Sequence, residues 1–419
     1  MKYLDITTVS TEKKPLSERK YDLVMYGATG FTGFECCKYI AQNYPNLKWA
    51  IAGRSHKKLQ EQKQKLTGID PALEKKLDIL VADSQSLQDL RSIISDTRVI
   101  LSTVGPFAKY GNYVIALCAQ YGTNYVDSTG ECDWVKGTIE KYDELAHKSG
   151  ANIVSQCGYD SVPFDMSTYF MAEYFKKNND QLKHMEIYLE NKGGISGGTL
   201  ATVELFMSNR LVYDQCLKFD PFLKLTGKQE KSQFRFKPLH RLAPSYSKEE
   251  KCYLSINPQD VSNIEIVKRS NALLGYNQII SYRENLRFPN IFISISVYFF
   301  LILFAFIVII GPLRVLAYKF IFPKPGQGPT EKQMETGYMV LTGIGESQNG
   351  KKAKMVFTLD KDPGYRCTAR MLVESSLGFI YNKEEILGTG GVYTPASCFG
   401  NVLIKRLQDK GSIIDILQE

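Results

Sequence analysis

Three glycines follow the first apolar run of the chain, in the stretch MYGATGFTG. A diphosphate needs a tight turn after a strand, a backbone that it can approach closely, and the unpaired N–H groups of a helix N-terminus. Glycines at this spacing, followed by a helix-like stretch, meet those needs. The sequence therefore predicts a dinucleotide-binding loop, and the residues that we expect to line it are Gly27, Ala28, Thr29, Gly30, Phe31, Thr32 and Gly33.

The second apolar run ends in Gly53-Arg54-Ser55, with two lysines close behind. NAD pockets usually have Asp or Glu at this place to bind the ribose 2′-hydroxyl, whereas NADP pockets have a cation for the 2′-phosphate. Arginine can make a bidentate, charge-assisted contact with that phosphate, and a carboxylate would repel it. The sequence predicts Arg54 and Ser55 as coenzyme-binding residues, with NADP(H) preferred and NAD(H) possible. The alternative is that Arg54 is a solvated loop charge.

Polar, glycine-bearing loops follow three later apolar runs, at residues 105–111, 127–131 and 158–163. Ligands of doubly wound sheets bind outside the carboxyl ends of the strands, so we expect Thr103, Gly105 and Pro106 beside the nicotinamide ribose. Hydride transfer also needs a proton donor. The candidates by location are Tyr110, Asp127, Glu131 and Asp160. The alternative for Asp160 is a cap on the helix that follows it.

Short apolar runs alternate with helical stretches between residues 21 and 156. This alternation is typical of an α/β fold with a Rossmann-type doubly wound parallel sheet, and it makes a simple tight turn the less favoured interpretation of the glycines. After about residue 180, polar and apolar residues alternate as in half-exposed antiparallel strands, while residues 197–217 look helical. The predicted organisation is an N-terminal tail (1–20), a Rossmann domain (21–160), an α+β substrate or dimerisation domain (161–392), and a C-terminal helix packed back on the body (393–419).

Residues 288–313 contain no charged side chain, and the core of this segment, residues 291–310, has the length of a membrane-crossing helix. The alternatives are a buried core helix or a dimer interface. If the strands that follow complete the same globule, both ends must emerge on one face, as in a hairpin or an interfacial anchor. Basic residues that could bind anionic headgroups flank the segment: Arg283, Arg287, Arg314, Lys319 and Lys324.

The bulk composition excludes several classes of function. With 52 basic and 44 acidic residues the net charge is only +8, and no run of five basic residues occurs, so we expect no nucleic-acid partner. Nine scattered cysteines without a CxxC motif, and only four histidines, predict no metal site. The first twenty residues lack an apolar core, so we expect a protein that is not secreted.

Several ordered motifs resemble one family across nearly the whole chain. They are MYGATGFTG, AGR, TVGPFAKYG, YVDSTGE, CGYDSVPFD, GGISGGTLAT and GGVYTPASCFGNVLIKRLQDKG. They are similar to those of the saccharopine dehydrogenase-like oxidoreductases. The resemblance is to the eukaryotic branch that associates with membranes or lipid droplets, and to the mycobacterial trans-acting enoyl reductases. It implies a Rossmann domain with an NAD(P) site.

Together these observations predict a membrane-associated NADP(H)-dependent oxidoreductase with a small, lipid-like carbonyl or enoyl substrate. Residues 288–313 would contact a lipid droplet or an organelle membrane, either mitochondrial or endoplasmic reticulum. A homodimer or a membrane-complex partner is possible. The rival hypothesis is a non-catalytic Rossmann-fold scaffold or accessory subunit of a membrane complex, since no acid–base pair stands out.

Overall fold

The computed structural model describes residues 3–194, 220–225, 234–320 and 328–417. The chain divides into two compact units. Unit one comprises Met1–Val162 and Gly364–Leu407, and unit two comprises Pro163–Pro363 and Gln408–Glu419. The helix predicted at residues 197–217 lies outside the described residues.

Unit one contains a sheet in which the described residues form seven parallel strands. Most of these strands are short and buried along almost their whole length, as expected for a sheet that is covered on both faces. The strands are β1 (Tyr21–Tyr26), β2 (Trp49–Gly53), β3 (Asp78–Val81), β4 (Thr97–Ser102), β5 (Asn124–Asp127), β6 (Asn152–Val154) and β14 (Gly391–Tyr393).

The order of these strands is β14-β6-β5-β4-β1-β2-β3. Because β1 lies between β4 and β2, the chain reverses its direction of winding there, and ligands bind at such a switch point. The helices between the strands are α1 (Phe31–Asn43), α2 (His56–Thr67), α3 (Leu73–Lys76), α4 (Leu87–Ile94), α5 (Phe107–Tyr110), α6 (Asn112–Tyr121) and α7 (Cys132–Ser149).

The last part of unit one comes from far along the chain. It consists of α13 (Thr368–Tyr381), β14, α14 (Pro395–Phe399) and most of α15 (Asn401–Asp409). Helix α13 packs against α1, β4 and β5, and β14 pairs with β6. The observed boundaries therefore differ from the predicted ones, which placed residues 364–392 in the second domain. Residues 364–392 belong to unit one because β14 pairs with β6 and α13 packs on α1. Neither contact can be recognised from the local sequence.

Unit two contains a mixed sheet, with strand order β15-β13-β12-β7-β11-β10-β9 and with β8 paired to β11. The strands are β7 (Leu182–Lys192), β8 (Arg235–Pro238), β9 (Ser245–Ser247), β10 (Cys252–Ser255), β11 (Ile279–Phe288), β12 (Tyr338–Ser347), β13 (Lys352–Leu359) and β15 (Ile413–Leu417). Its helices are α8 (Val162–Lys177), α9 (Asp260–Leu274), α10 (Ile291–Ile309), α11 (Gly311–Phe320) and α12 (Glu331–Glu335). The predicted fold class, a Rossmann-type parallel sheet plus an α+β domain, is confirmed.

The end of the chain corrects the prediction of a C-terminal helix over residues 393–419. Helix α15 ends at Asp409, Gly411 adopts a positive φ of 94°, and β15 then pairs antiparallel with β13. Buried Ile414 alternates with its exposed neighbours Ile413 and Asp415, and this period of two is that of a strand. The apolar residues of β15 belong to the sheet of unit two.

The predicted N-terminal tail is tied to unit one. The guanidinium of the buried Arg19 donates to the carbonyl oxygens of Thr97 and Tyr121 and to the hydroxyl of Thr123. The backbone N–H and C=O of Leu4 both bond to the hydroxyl of Tyr142. These contacts hold the tail at the start of β4 and along α7.

The apolar segment forms α10, and it is the one described helix that is long and apolar enough to cross a membrane. Only 11% of its 18-residue apolar window is buried, so the core-helix alternative is wrong for the described chain. Phe292, Phe299, Phe300 and Phe306 are between 55% and 78% exposed. At its start the hydroxyl of the buried Ser294 donates to the carbonyl oxygen of Leu254 in β10, which fixes that end to the sheet.

Candidate functional site

The glycine loop lies at the carboxyl end of β1. Gly27 has a φ of 97°, which L side chains rarely adopt, and its N–H donates to the carbonyl oxygen of Ala52 in β2 at 2.9 Å. A Cβ at Gly27 would lie 2.8 Å from the Cγ2 of Val104. A Cβ at Gly33 would overlap the carbonyl oxygen of Gly27. Both positions therefore require glycine.

Helix α1 begins directly after this loop. Gly30 is its N-cap, so no side chain accepts from the N–H groups of the first turn, and that turn contains no acidic residue. The loop residues from Thr29 to Thr32 are half-exposed, while Ala28 is buried. A cradle that side chains would fill, together with an uncapped helix N-terminus, fits a diphosphate.

Helix α1, which follows the glycine loop, is supported by residues that the sequence analysis did not identify. The rings of Phe31 and Tyr365 meet edge to face, with centroids 5.1 Å apart. The buried carboxylate of Glu35 pairs with Arg366 at 2.7 Å and with Lys38 at 2.5 Å. Glu35 and Arg366 are 331 residues apart in sequence, and no local pattern marks the second as part of a coenzyme unit.

Arg54 and Ser55 follow β2, the neighbour of β1. Arg54 is exposed, and its guanidinium lies 5.9 Å from the ring centroid of Tyr110. Ser55 is the N-cap of α2, where its hydroxyl accepts from the N–H of Lys58 at 3.4 Å. The first turn of α2 contains no acid. The predicted coenzyme cation is therefore placed at the carboxyl end of β2, beside a second helix N-terminus.

The loop after β4 reaches the glycine loop from the other side. The hydroxyl of Thr103 donates to the carbonyl oxygen of Gly27 at 3.4 Å. Gly105 and Pro106 are joined by a cis peptide bond, and Gly105 is exposed. Thr103 thus contacts the glycine loop, and the loop that it opens leads to α5, which contains Tyr110.

Asp127 ends β5 and is fully buried. One carboxylate oxygen accepts from the N–H groups of Thr129 and Gln156, at 2.9 and 3.1 Å, and the other accepts from the hydroxyl of Ser155. Burial raises the pKa of Asp127 to about 7, against the opposing effect of these hydrogen bonds. The carboxyl group joins the loop after β5 to the loop after β6, and it has the surroundings of a structural residue.

Glu131 is also buried, and its position explains the start of α5. Its two carboxylate oxygens accept from the N–H groups of Phe107 and Ala108, both at 2.8 Å. Burial raises the pKa of Glu131, and the two N–H donors oppose that rise. The side chain thus caps α5 and holds the loop of Gly105 and Tyr110 in place. Both predicted acids are anchors for loops at the coenzyme edge.

Asp160 lies in the turn between β6 and α8 and is half-exposed. In the same turn, the N–H of Tyr159 donates to the hydroxyl of Thr368, the first residue of α13, at 3.0 Å. The structure therefore brings Arg54 to Tyr110 and Thr103 to Gly27. Asp127 bonds to the loops after β5 and β6, and Glu131 bonds to the start of α5. Among the described residues, no group of three or more His, Cys, Asp or Glu side chains could hold a metal ion.

A parallel sheet with a glycine cradle at its switch point defines a dinucleotide-binding Rossmann unit. Residues 23–154 match the family described as the saccharopine dehydrogenase NADP binding domain. A trans-acting enoyl reductase of Mycobacterium ulcerans is 29% identical over 420 residues, covering 95% of this chain and 98% of that protein. A candidate trans-acting enoyl reductase of Mycobacterium tuberculosis is 30% identical over 424 residues, covering 94% and 96%.

Two solved structures share the fold at low sequence identity. Apo saccharopine dehydrogenase (L-Glu forming) of Saccharomyces cerevisiae has a TM-score of 0.54 at 12% identity, covering 95% of this chain and 100% of that one. Homospermidine synthase of Legionella pneumophila in complex with NAD has a TM-score of 0.52 at 10% identity, covering 98% and 93%. The chain belongs to the saccharopine dehydrogenase-like oxidoreductase family, together with the mycobacterial trans-acting enoyl reductases. This confirms the predicted class, an NAD(P)-dependent oxidoreductase.

Proposed function

We propose that the protein is an NADP(H)-dependent reductase that acts on an apolar enoyl or carbonyl substrate at a lipid surface. The observation that carries the coenzyme half is Arg54, an exposed cation at the end of β2. Ser55 and two lysines follow it, so no carboxylate occupies the position that would bind a ribose 2′-hydroxyl. A 2′-phosphate can be held there by the guanidinium.

The names of the mycobacterial relatives support the enoyl substrate class. NADPH supplies a hydride when it is bound, and reduction of a double bond conjugated to a carbonyl also takes up one proton. In this chain the uncapped N-terminus of α1 would hold the diphosphate, and Thr103 and Gly105 would lie beside the reacting end. Asp127 and Glu131 are buried, whereas Asp160 is half-exposed at the same edge of the sheet and is the proton donor of this proposal.

The coenzyme assignment is tested by the charge reversal Arg54→Glu. We expect the Kd for NADPH to rise about 10- to 100-fold, because hydrogen bonds to charged groups contribute roughly 1.5–3 kcal/mol. The Kd for NADH should change little, and both are measured by fluorescence titration. Lys75→Glu is the matched control, since Lys75 is an exposed cation before β3, at the opposite edge of the sheet. An unchanged NADPH affinity in the Arg54 variant would refute the assignment.

The lipid half of the proposal depends on α10 and α11. The exposed side chains of α11 include the apolar residues Val315, Leu316 and Phe320, so the apolar surface continues from one helix to the next. The two helices contact each other, and Arg314 donates to the carbonyl oxygen of Val308 near the end of α10. Arg283 and Arg287 face carboxylates of their own unit, at 3.5 to 4.0 Å, which weakens the prediction that they bind headgroups.

The sheet of unit two argues against a single membrane crossing. The apolar segment connects β11 to β12, and both strands pair with β7. If the segment crossed a bilayer once, these two strands would lie on opposite sides of it. The segment must therefore enter and leave on the same side, as an anchor in one leaflet or monolayer does. A lipid-droplet surface and the cytosolic leaflet of an organelle membrane both meet this requirement.

Flotation with phosphatidylcholine vesicles, with and without phosphatidylserine, tests the anchor. We expect the wild type to float and a variant with Phe299, Phe300, Leu303 and Phe306 changed to serine to stay in the dense fraction. Leu387→Ser is the control, because Leu387 is 45% exposed but lies in unit one. If the wild type forms a defined dimer by light scattering and does not bind vesicles, the segment is a protein interface instead.

Turnover distinguishes the enzyme from a scaffold. NADPH consumption is measured with enoyl and aldehyde substrates of increasing chain length, in the presence of vesicles. We expect the specific activity to rise with chain length. Tight NADPH binding without consumption across the whole series would favour the non-catalytic scaffold.

A further inference from the structure

The ring of Tyr110 lies near two cations that come from different loops. The guanidinium carbon of Arg54, after β2, is 5.9 Å from the ring centroid. The Nζ of Lys109, in α5 after β4, is 5.1 Å from the same centroid. Because β2 and β4 are the two neighbours of β1, this contact joins the two sides of the glycine loop.

Neither cation is neutralised within the described chain. No carboxylate among the described residues lies within ion-pair distance of Arg54 or Lys109, and both side chains are exposed. Two cations next to one aromatic ring repel each other, and a doubly charged anion placed between them relieves that repulsion. The pair is therefore complementary to a phosphate monoester rather than to a neutral hydroxyl.

The backbone of Lys109 is fixed from a third loop. The side-chain amide of Gln85, after β3, donates to the carbonyl oxygen of Lys109 at 3.3 Å. The acidic residue of that loop, Asp83, uses one carboxylate oxygen to accept from the N–H of Gln85 at 2.9 Å. Glu131 caps the same short helix at its first residues, so α5 is held at both ends.

We propose that Tyr110 is a positioning residue that holds Arg54, and that Lys109 is a second cation for the 2′-phosphate of NADP(H). A long exposed arginine loses much rotamer freedom when it binds, and packing on an aromatic ring restricts it beforehand. The ring, rather than the phenol hydroxyl, is the part of Tyr110 that acts. This inference rests on the proposed preference for NADP(H), and it removes Tyr110 from the set of proton donors.

The test compares Tyr110→Leu, Tyr110→Phe and Lys109→Ala with Arg54→Leu in the full-length protein. The Kd values for NADPH and NADH are measured by fluorescence titration, and circular dichroism verifies the fold. We expect Tyr110→Leu and Lys109→Ala each to raise the NADPH Kd about three- to tenfold, as exposed cation–π and ionic contacts do, without changing the NADH Kd. Tyr110→Phe keeps the ring beside Arg54 and should keep both Kd values of the wild type.

A double variant identifies the route by which Tyr110 acts. Arg54→Leu with Tyr110→Leu should bind NADPH no more weakly than Arg54→Leu alone, because the ring acts through the arginine. Equal losses for NADPH and NADH in Tyr110→Leu, multiplicative losses in the double variant, or a raised NADPH Kd in Tyr110→Phe would each overturn the inference. If Arg54→Leu itself leaves the NADPH to NADH ratio unchanged, the proposed coenzyme preference fails, and this inference fails with it. A changed ratio in Arg54→Leu with an unchanged ratio in Tyr110→Leu refutes only the role of Tyr110.

Discussion

Two pairs of charged residues stand at the carboxyl edge of the same parallel sheet. Asp127 and Glu131, at and after the end of β5, are buried, and both carboxylate oxygens of each residue accept hydrogen bonds from nearby N–H or hydroxyl groups. Arg54 and Lys109, after β2 and β4, are exposed and share the ring of Tyr110. The same position in the fold therefore serves two purposes. The buried acids shape the loops, and the exposed cations are left to meet a ligand.

The largest effect is expected for Glu131→Ala, which removes the acceptor of two N–H groups at the start of α5. We expect the free energy of unfolding, measured in urea, to fall by about 2–5 kcal/mol, since each unsatisfied buried donor costs roughly 1–3 kcal/mol. Glu131→Gln keeps one acceptor and should lose less. An alanine variant with wild-type stability and no turnover would identify Glu131 as a catalytic residue instead of a structural one.

Asp127→Ala should cost about 2–4 kcal/mol for the same reason, whereas Asp127→Asn keeps an acceptor for Thr129 and Gln156. Because burial raises the pKa of Asp127 from 3.8 to about 7, the folded state retains its proton longer than the unfolded state. This contribution to stability is complete below the unfolded pKa and is lost as the pH rises through the folded pKa. Urea unfolding across that interval should show the wild type losing stability relative to Asp127→Asn. Parallel curves for the two proteins would contradict the buried position.

Arg54→Leu should show the opposite behaviour to the buried acids. Without coenzyme its unfolding free energy should stay within about 0.5 kcal/mol of the wild type, because the side chain is exposed. NADPH at about 100 times the wild-type Kd stabilises the wild type by roughly 2.7 kcal/mol, and a variant that binds 10- to 100-fold more weakly by only about 0.4–1.4 kcal/mol. Thermal unfolding with and without NADPH measures both quantities. A large loss in the coenzyme-free protein would place Arg54 with the structural residues.

The smallest effect is expected at Ser55, which has a structural role as the N-cap of α2 and also follows the proposed coenzyme cation Arg54. Ser55→Ala removes the cap of α2 and should cost about 0.5–1 kcal/mol of unfolding free energy. Ser55→Asp keeps a capping oxygen, so its stability should match the wild type, but its carboxylate beside Arg54 should weaken NADPH binding. If both variants bind NADPH equally well, the residue is a helix cap and has no part in the coenzyme site.

The sequence predicts the elements that local patterns determine. Strand β1 and helix α6 begin and end where the apolar runs and turn residues place them, and the glycine loop follows from three residues at one spacing. It does not predict β14, because three residues of strand have meaning only beside β6. It gives Glu131 as a candidate proton donor by location, because an acid in a polar loop looks the same in sequence whether or not two N–H groups face it. The support of α1 by Tyr365 and Arg366 depends on a return of the chain over more than three hundred residues.

That return has a consequence for the order of events on the ribosome. When Val162 has been made, the strands from β1 to β6 exist, but β14, which pairs with β6 on the side away from β5, and the helix that packs on α1 do not. The apolar helix α10 is translated before Tyr365 and β14. Any membrane or droplet that recognises the nascent chain therefore acts on a protein whose coenzyme unit is still incomplete. The coenzyme unit is complete only when residues 364–407 have been made.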